Sequence, residues 1–565
     1  MRHFYLICVF LSTSVVHAES FQSDGTVVSA VHMVSAANPL ASNAGLAVLD
    51  AGGTAMDAAV AVQLVLNVVE PESSGIGGGA FLLYWDASKK ELVTYDGREK
   101  APASATPEYF FDENGEPKKW SDALTGGLSV GVPGTLKLLE AAHADHGLTA
   151  WKELVEPAIA VSESGFIVSG KLSKAIAAAS ERGLTTFDET RAYFYNEDGS
   201  ARAAGSTLKN PAFAQTLKLI ASQGSKPFYH GEIAQSIVDA VKTESNTGQL
   251  TMADMASYEV IKREPVCFDY REFEVCGMGP PTSGGLTMGQ ILTILSNHDL
   301  PAMGPSAEAW HLYIEAAKLA YADRGMYMAD ADFVDMPEGL LNKAYLADRA
   351  ALIDLSNAME KAEAGVPPWD EAQLWSPDTQ TERPGTSHFV VSDRYGNHVS
   401  MTTTIESGFG SRVMAEGFLL NNELTDFSFQ PERDGKPVAN RVEGGKRPRS
   451  SMSPTIVFRD GRPYLLTGSP GGSRIINYVT QSVIAMLDWD MSPQAALNMG
   501  HVVNRNGKTD LEDGSEAVEL IAPLESLGHE VNVRALNSGL HSILIKNGWL
   551  YGAADPRREG VAVGK

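Results

Sequence analysis

The chain has 565 residues, three cysteines and a formal net charge of −25 at pH 7, from 70 acidic and 45 basic side chains. Nucleic acid and anionic membranes carry the same sign of charge, so this balance argues against either as a partner. The length exceeds what one small hydrophobic core serves and allows several domains or one large layered domain.

An export signal is the first feature in chain order. Residues 1–20 read MRHFYLICVFLSTSVVHAES, in which Arg2 precedes an apolar run and small residues precede a cut after Ala18. The run is too short to span a bilayer, and no later stretch is long and apolar enough to do so. We predict a signal peptide at 1–18 and an exported protein, periplasmic or secreted; an N-terminal buried strand or membrane anchor is the alternative.

Two helices and a glycine-rich turn follow. Asn38 and Pro39 predict the start of one helix, and Thr54 predicts the start of a second through AMDAAVAVQLVLNVV. The next segment, PESSGIGGGAF, has a GxGxxA spacing, but a helix precedes it and a strand follows, the reverse of a dinucleotide-binding context. We interpret these glycines as sites of close backbone packing.

From about 130 to 380 the apolar residues recur mostly at helical spacing, and the histidines form no metal-ligand pattern, so we predict no metal site. Within this region VCFDYREFEVC contains two alternating runs that meet between Arg271 and Glu272. Such a hairpin sets Cys267 opposite Cys276. An oxidising compartment favours a disulfide between them, and two unpaired core cysteines are the alternative.

Strand patterns dominate from residue 386. TSHFVVSD and HVSMTTTI flank a five-residue loop from Asp393 to Asn397, a hairpin that places Thr386 opposite Thr404. A shift of one residue would place Ile405 there instead, and simple β-propensity also explains the threonine run. The preceding segment, SPDTQTERPG at 376–385, is polar and contains proline, which predicts an accessible, mobile surface loop.

A threonine hydroxyl is a poor nucleophile unless a base lies beside it. The free α-amine of an N-terminal threonine, with a reference pKa of roughly 7.7 to 8.0, can take the hydroxyl proton. Thr386 is internal, so this chemistry requires a cut between Gly385 and Thr386. Glycine tolerates strained dihedral angles and leaves its carbonyl open to the adjacent hydroxyl. Thr404 would then orient the nucleophile.

A second glycine-rich turn, TGSPGGSR at 467–474, separates an apolar strand from a helix. The backbone N–H groups of Gly471 and Gly472 can hold a developing oxyanion at such a helix start, although an ordinary strand-to-helix turn has the same pattern. The turn has neither the Gly-Lys pair of a phosphate-binding loop nor the first glycine of a nucleophile elbow.

Nine segments together resemble the γ-glutamyltranspeptidases, self-processing members of the N-terminal nucleophile hydrolases. They occur in the family's order over nearly the whole mature chain: AGGTAMDAAVAVQLVLNVVEPESSGIGGGAF, YDGREKAP, REPVCFDYREF, PPTSGG, TSHFVV, LLNNELTDFS, KRPRSSMSPTIV, TGSPGGSR and YGAADPR. The resemblance implies an α+β fold, a four-layer αββα sandwich without metal or organic cofactor. It also implies a heterodimer from one precursor, with a large subunit of residues 19–385 and a small catalytic subunit of residues 386–565.

The same resemblance implies a role for each candidate residue. Thr386 attacks the carbonyl of Gly385 and, once freed, the γ-amide of glutathione or another γ-glutamyl compound, while Gly471 and Gly472 stabilise the oxyanion. Water or the amine of an amino acid or peptide acceptor resolves the ester. Arg98, Ser450 and Ser451 are the implied contacts to the substrate's α-carboxylate. Glu423 and Asp426 are the implied contacts to its α-ammonium.

Two features depart from the family pattern. Glu406 stands where many members carry asparagine and adds a carboxylate near the substrate ammonium. The segment at 429–445, FQPERDGKPVANRVEGG, is short and lacks a tyrosine, so we expect no lid and an open pocket. An open pocket admits bulkier acyl groups, which makes a glutaryl or cephalosporin-type acylase the alternative enzyme. A binding protein that keeps the fold without turnover is the alternative from another class.

Overall fold

The computed structural model describes residues 24–368, 375–380 and 382–565. The predicted signal peptide at 1–18 lies outside these ranges. Across the described ranges, no helix combines the length and the apolar character needed to cross a membrane.

The described residues form 23 strands. They are β1 (Val27–Ser29), β2 (Met33–Ala36), β3 (Gly79–Asp86), β4 (Glu91–Gly97), β5 (Phe166–Ile167), β6 (Thr207–Leu208), β7 (Ile261–Arg263), β8 (Val266–Tyr270), β9 (Phe273–Gly277), β10 (Thr386–Ser392), β11 (His398–Thr404), β12 (Met414–Ala415), β13 (Phe418–Leu419), β14 (Glu432–Arg433), β15 (Lys436–Pro437), β16 (Thr455–Arg459), β17 (Arg462–Gly468), β18 (Val502–Val503), β19 (Thr509–Glu512), β20 (Val531–Arg534), β21 (His541–Lys546), β22 (Trp549–Ala554) and β23 (Val561–Gly564).

The same residues form 18 α-helices. They are α1 (Pro39–Asp50), α2 (Ala55–Val69), α3 (Trp120–Leu124), α4 (Thr135–His146), α5 (Trp151–Ser164), α6 (Gly170–Ala179), α7 (Asp188–Phe194), α8 (Pro211–Gln223), α9 (Lys226–His230), α10 (Glu232–Ala240), α11 (Met252–Ala256), α12 (Gly284–Leu295), α13 (Leu300–Met303), α14 (Ala307–Tyr327), α15 (Lys343–Ala350), α16 (Ile475–Leu487), α17 (Pro493–Asn498) and α18 (Ile521–Ser526).

Two seven-stranded antiparallel sheets form the centre of the molecule. The first has the strand order β1-β22-β21-β17-β16-β9-β8, and the second has the order β23-β2-β10-β11-β3-β4-β7. The sheets face each other, since β10 contacts β17 and β21 while β2 contacts β21 and β22. Helices cover both outer faces: α1 and α2 pack on the second sheet, and α12, α16 and α17 pack on the first. The four-layer αββα arrangement implied by the resemblance is confirmed.

Alternation along β10 divides the apolar residues between two cores. Phe389 and Val391 point toward the helices on the second sheet, whereas Val390 points into the space between the sheets. Each sheet contains strands from both predicted subunits, so neither subunit would have a complete sheet by itself. β10 lies between β2 and β11 in the second sheet, and all its residues, including Thr386 at its start, are buried.

Local sequence determines the ends of the first two helices. Asn38 accepts a hydrogen bond from the backbone N–H of Leu40, and Pro39 begins α1, as the sequence predicts. Thr54 and Asp57 form a reciprocal capping box at the start of α2, and every residue of this alanine-rich helix is buried.

The hairpin of β8 and β9 has the predicted register, with Cys267 paired to Cys276 near its open end. A disulfide joins the two residues in the structure. The disulfide links β8, the edge strand of the first sheet, to β9, which also pairs with β16.

Candidate functional site

Thr386 begins β10 and pairs directly with Thr404 at the end of β11, the register that the sequence predicts. Both side chains are buried, and their Oγ1 atoms lie 3.2 Å apart. Gly78, in the glycine-rich turn before β3, allows this end of β11 to pack tightly, because a Cβ at Gly78 would lie 1.9 Å from the carbonyl oxygen of Thr404.

The hydroxyl of Thr404 connects the nucleophile with the bond to be cut. It accepts a hydrogen bond from the N–H of Glu406 at 2.8 Å and donates one to the carbonyl oxygen of Gly385 at 3.0 Å. The N–H of Ile405 donates to the same carbonyl oxygen at 3.3 Å. Two donors therefore polarise the Gly385 carbonyl, and Thr404 retains acceptor capacity for the hydroxyl proton of Thr386.

Position 385 requires glycine because there is no room for a side chain, not because of its backbone conformation. A Cβ at this position would lie 2.3 Å from both the carbonyl oxygen of Glu406 and the carbonyl carbon of Ser407. The φ angle of Gly385 lies outside the left-handed region, so strained dihedral angles, which the sequence suggests as the reason for glycine, do not account for it.

The segment before Gly385 is only partly buried. Arg383 is exposed, as an accessible surface loop predicts, but Glu382 is buried, which that prediction does not anticipate. The Glu382 carboxylate pairs with Arg324, approaches Arg449 Nε at 3.5 Å and accepts a hydrogen bond from Ser451 Oγ at 3.2 Å. Burial opposes ionisation, but the two arginines prevail and lower the pKa of Glu382 to about 2. These contacts hold the Glu382 side chain inside the molecule.

Arg98 lies at the centre of the predicted substrate contacts. Its Nη1 pairs with Glu423, its Nη2 lies 2.6 Å from Asp426 Oδ2, and its Nε donates to the carbonyl oxygen of Pro448 at 3.1 Å. The predicted carboxylate-binding residue is thus paired with two predicted ammonium-binding residues. A zwitterionic ligand can replace these contacts by offering a carboxylate to Arg98 and an ammonium to the acids.

We call Arg98, Glu406, Glu423 and Asp426 the acidic cluster. Burial raises the pKa of Glu406 to about 7. Burial also keeps the pKa values of Glu423 and Asp426 well above their ordinary range, although Arg98 favours ionisation of both. The cluster has more acids than one arginine can balance, so an additional cation would be stabilised there.

The cavity at Thr386 is small, about 10 Å³, which contradicts the expectation of an open pocket in this state. Its lining includes almost every predicted site residue: Arg98, Thr386, Thr404, Glu406, Glu423, Asp426, Ser450, Ser451 and Gly472, with Glu382 and Arg383. Gly471 is not among the lining residues. No residue of the 429–445 segment is among the lining residues of this cavity either.

Gly471 and Gly472 connect β17 to the turn before α16. Their φ angles are 144° and 61°, in the region that favours glycine. A Cβ on Gly472 would lie 2.7 Å from the carbonyl oxygen of Glu382, so the segment before the predicted cut runs directly against this turn.

Other polar residues around Thr386 were not predicted from the sequence. Arg558 Nη1 donates to the carbonyl oxygen of Thr386 at 3.0 Å, and Ser387 Oγ donates to Glu70 Oε2 at 2.8 Å. Lys171 pairs with Glu70 at 2.7 Å. In the sequence these residues are the second arginine of DPRREG, a lysine in α6 and an acid directly after α2, none of which indicates a contact with a residue far away in sequence.

One buried group outside this site has ligand-like residues. His311 Nδ1 lies 2.7 Å from His529 Nε2, and His529 Nδ1 lies 3.9 Å from Glu315, which pairs with Lys318 at 2.8 Å. The two imidazoles hydrogen-bond to each other, so the group is a buried polar network.

Comparison with known proteins identifies the family of the chain. The family model described as gamma-glutamyltranspeptidase matches residues 41–565. The chain belongs to the gamma-glutamyltranspeptidase family. The glutathione hydrolase proenzyme of Bacillus subtilis strain 168 is 39% identical over 546 residues, 94% of this chain and 91% of that protein. The corresponding proenzyme of Escherichia coli K12 is 36% identical over 542 residues, 93% of this chain and 90% of that protein.

A solved structure extends the likeness to the whole fold. The cephalosporin acylase from Bacillus halodurans has a TM-score of 0.84 and 27% identity, and the match covers 100% of this chain and 99% of that one. The family consists of enzymes with an N-terminal nucleophile, so the resemblance inferred from the nine segments is confirmed.

Proposed function

We propose that the chain is a self-processing γ-glutamyltranspeptidase and glutathione hydrolase that cuts itself between Gly385 and Thr386. The products would be a large subunit, residues 19–385, and a small catalytic subunit, residues 386–565, which remain together as a heterodimer. Both subunits contribute strands to both sheets, and this shared core supports their continued association after the cut.

The observation that carries this proposal is the position of the Thr404 hydroxyl between Thr386 and the Gly385 carbonyl. In the cut, Thr386 Oγ1 forms a bond to the Gly385 carbonyl carbon, and Thr404 and the N–H of Ile405 stabilise the developing oxyanion. The C–N bond then breaks, and the nitrogen of Thr386 takes the proton that its hydroxyl loses. Water hydrolyses the resulting ester and leaves Thr386 with a free amine.

The free amine completes the second reaction. It takes the proton of the Thr386 hydroxyl as Oγ1 attacks the γ-carbonyl of the donor, and it returns a proton to the departing amine. The turn at Gly471 and Gly472 supplies N–H groups to the oxyanion. Water then gives hydrolysis, whereas the amine of an amino acid or peptide gives transfer. No step of this scheme uses a cofactor.

The acidic cluster supports a γ-glutamyl rather than a glutaryl donor. A γ-glutamyl group carries an α-ammonium beside its α-carboxylate, and a glutaryl group has only the carboxylate. Glu406, Glu423 and Asp426 offer three carboxyl groups to an ammonium, whereas a glutaryl donor would add a carboxylate to this cluster without adding a cation. Arg98, with Ser450 and Ser451, would take the carboxylate that both donors share.

The proposed location is outside the cytoplasm, periplasmic or secreted. The supporting observations are the leader sequence at 1–18 and the bonded pair Cys267 and Cys276, because disulfides persist in oxidising compartments.

Chromogenic anilides test the activity directly. The purified protein is expected to release chromogen from a γ-glutamyl anilide, faster in the presence of a dipeptide acceptor, and to release little from the matching glutaryl anilide. A faster rate on the glutaryl anilide would instead support the acylase. An intact precursor that releases chromogen from neither would leave a binding protein as the better account.

A further inference from the structure

A second, larger cavity opens beside the Thr386 cavity. It has a volume of about 820 Å³, and Glu382 and Arg383 line both cavities. The larger cavity also contains Pro384, Ser407 and Gly408, so it begins directly at the proposed cleavage point. A donor whose γ-glutamyl group occupies the small cavity would extend its leaving group into this space.

The walls of the larger cavity carry six arginines in a chain with a net charge of −25. We call the cavity the arginine pocket, after Arg182, Arg383, Arg412, Arg474, Arg505 and Arg534. Its two acids are already engaged, because Glu72 lies 3.3 Å from Lys171 and Glu382 pairs with Arg324. The pocket is therefore a cationic surface within an acidic protein.

Two of these guanidinium groups approach an acid closely, and four form no salt bridge with any described residue. Arg474 pairs with Asp510 at 2.8 Å, and Arg534 approaches the same carboxylate at 4.0 Å. Within the described parts of the chain, no salt bridge of 4.0 Å or less reaches the other four: Arg182, Arg383, Arg412 and Arg505. Arg505 instead donates to Ser473 Oγ at 2.6 Å, and Arg412 donates to Ser407 Oγ at 3.3 Å.

For two of the four, burial adds a desolvation cost, although Glu406 favours the charged form of Arg412 and both Asp510 and Glu382 favour that of Arg505. Burial lowers the pKa of Arg412 to about 10, and burial together with the neighbouring Arg474 lowers the pKa of Arg505. An anion entering the pocket would offset the desolvation of these groups and the repulsion among them. Five of the six arginines lie outside the segment before Gly385, so their charges remain with the folded protein after a cut.

We propose that the arginine pocket selects leaving groups and acceptors that carry carboxylates, with acidic peptides favoured over neutral amines. The inference rests on the proposed function and adds the chemical class of the leaving group and of the acceptor, the groups bonded to the γ-carbonyl through nitrogen. Guanidinium groups recognise carboxylates through paired N–H donors, and more than one unpartnered guanidinium accommodates more than one carboxylate. Arg182 and Arg505 would act as specificity-determining residues.

A matched pair of donors tests this selection. γ-Glutamyl p-nitroanilide has a neutral leaving group, and its ring-carboxylated analogue has an anionic one. In Arg182→Gln and Arg505→Gln we expect kcat/KM to fall about fivefold for the anionic donor and to stay within about twofold for the neutral donor. Raising the salt concentration should reduce the wild-type preference for the anionic donor.

Arg191→Gln is the matched control. Arg191 is exposed on α7, pairs with Asp188 and lies outside the pocket, so its loss removes one positive charge from elsewhere on the protein. It should leave the ratio of the two donors unchanged. Equal losses on both donors in the pocket variants, or the same change of ratio in Arg191→Gln, would overturn the inference while leaving the γ-glutamyl activity intact.

A binding measurement separates the pocket from the chemistry. Uncut Thr386→Ala protein is titrated calorimetrically with glycylglutamate and with glycylglutaminamide, the same dipeptide with both carboxylates converted to amides. We expect binding of the dicarboxylate alone, and weaker binding after Arg505→Gln. Equal affinity for both peptides, or binding of neither, would overturn the pocket assignment. Loss of chromogen release from both anilides in the wild type would instead overturn the proposed function.

Discussion

The hydroxyl groups of Thr386 and Thr404 lie 3.2 Å apart at the paired ends of two neighbouring strands. The Thr404 hydroxyl also donates to the Gly385 carbonyl oxygen, so one side chain contacts both reacting partners of the proposed cut. This geometry results from the antiparallel register of β10 and β11 and from Gly385, whose missing side chain lets the backbone of Glu406 and Ser407 approach. It requires no rearrangement of the sheet.

Thr404→Val tests the shared hydroxyl. Valine keeps the shape but removes the donor to the Gly385 carbonyl, and loss of one oxyanion donor typically slows a reaction about 10²-fold to 10³-fold. We expect self-cleavage to slow by a similar factor in a time course on denaturing gels. Thr404→Ser, which keeps the hydroxyl, should cleave nearly as fast as the wild type. Unchanged cleavage in the valine variant would remove Thr404 from the mechanism.

Glu382→Gln tests the anchoring of the segment before the cut. The Glu382 carboxylate holds this segment through Arg324, Arg449 and Ser451, and glutamine retains the size without the charge. We expect self-cleavage to slow about tenfold, because the scissile bond is held less firmly near Thr386. Glu432→Gln, at an exposed position on β14, serves as the control. Equal cleavage rates in all three proteins would contradict this role.

Affinity for the amino acid head should depend on pH through Glu406. Burial raises the pKa of Glu406 to about 7, so its carboxyl is ionised above that pH and protonated below it. An α-ammonium binds the ionised form better, and the inhibition constant of free glutamate should rise as pH falls from about 8 to about 6. The Glu406→Gln variant should show a flatter profile. A steeper or unchanged profile in that variant would contradict the assignment.

Arg98→Lys should damage donor binding more than self-cleavage. Arg98 Nη1 and Nη2 address two different carboxylates, a geometry that the single ammonium of lysine cannot reproduce. We expect KM for a γ-glutamyl anilide to rise about tenfold while the precursor is still cut. An unchanged KM would show that Arg98 does not bind the donor.

Much of the site could be predicted because it depends on local pattern. The loop between β10 and β11 fixed the pairing of Thr386 with Thr404, and the same reasoning paired Cys267 with Cys276. Capping residues determined the starts of α1 and α2. The layered fold and the members of the acidic cluster came instead from the resemblance to a family.

The errors concern interactions between residues far apart in sequence. A polar segment with proline predicts a surface loop, yet Glu382 is buried because Arg324 and Arg449 meet it from elsewhere in the chain. The cavity at Thr386 is small, and in it Arg98 pairs with two of the acids expected to bind substrate. Gly385 is needed because the backbone of Glu406 and Ser407, just after β11, passes close to it. None of these contacts has a signal in a short stretch of sequence.

The most direct test is intact mass and gel analysis of the wild type beside Thr386→Ala. The account predicts two wild-type fragments, the smaller beginning at Thr386, and a single uncut chain in the variant. A wild-type protein that stays uncut, or a small fragment that begins at another residue, would contradict the account, because Thr386 would then lack the free amine that its chemistry requires.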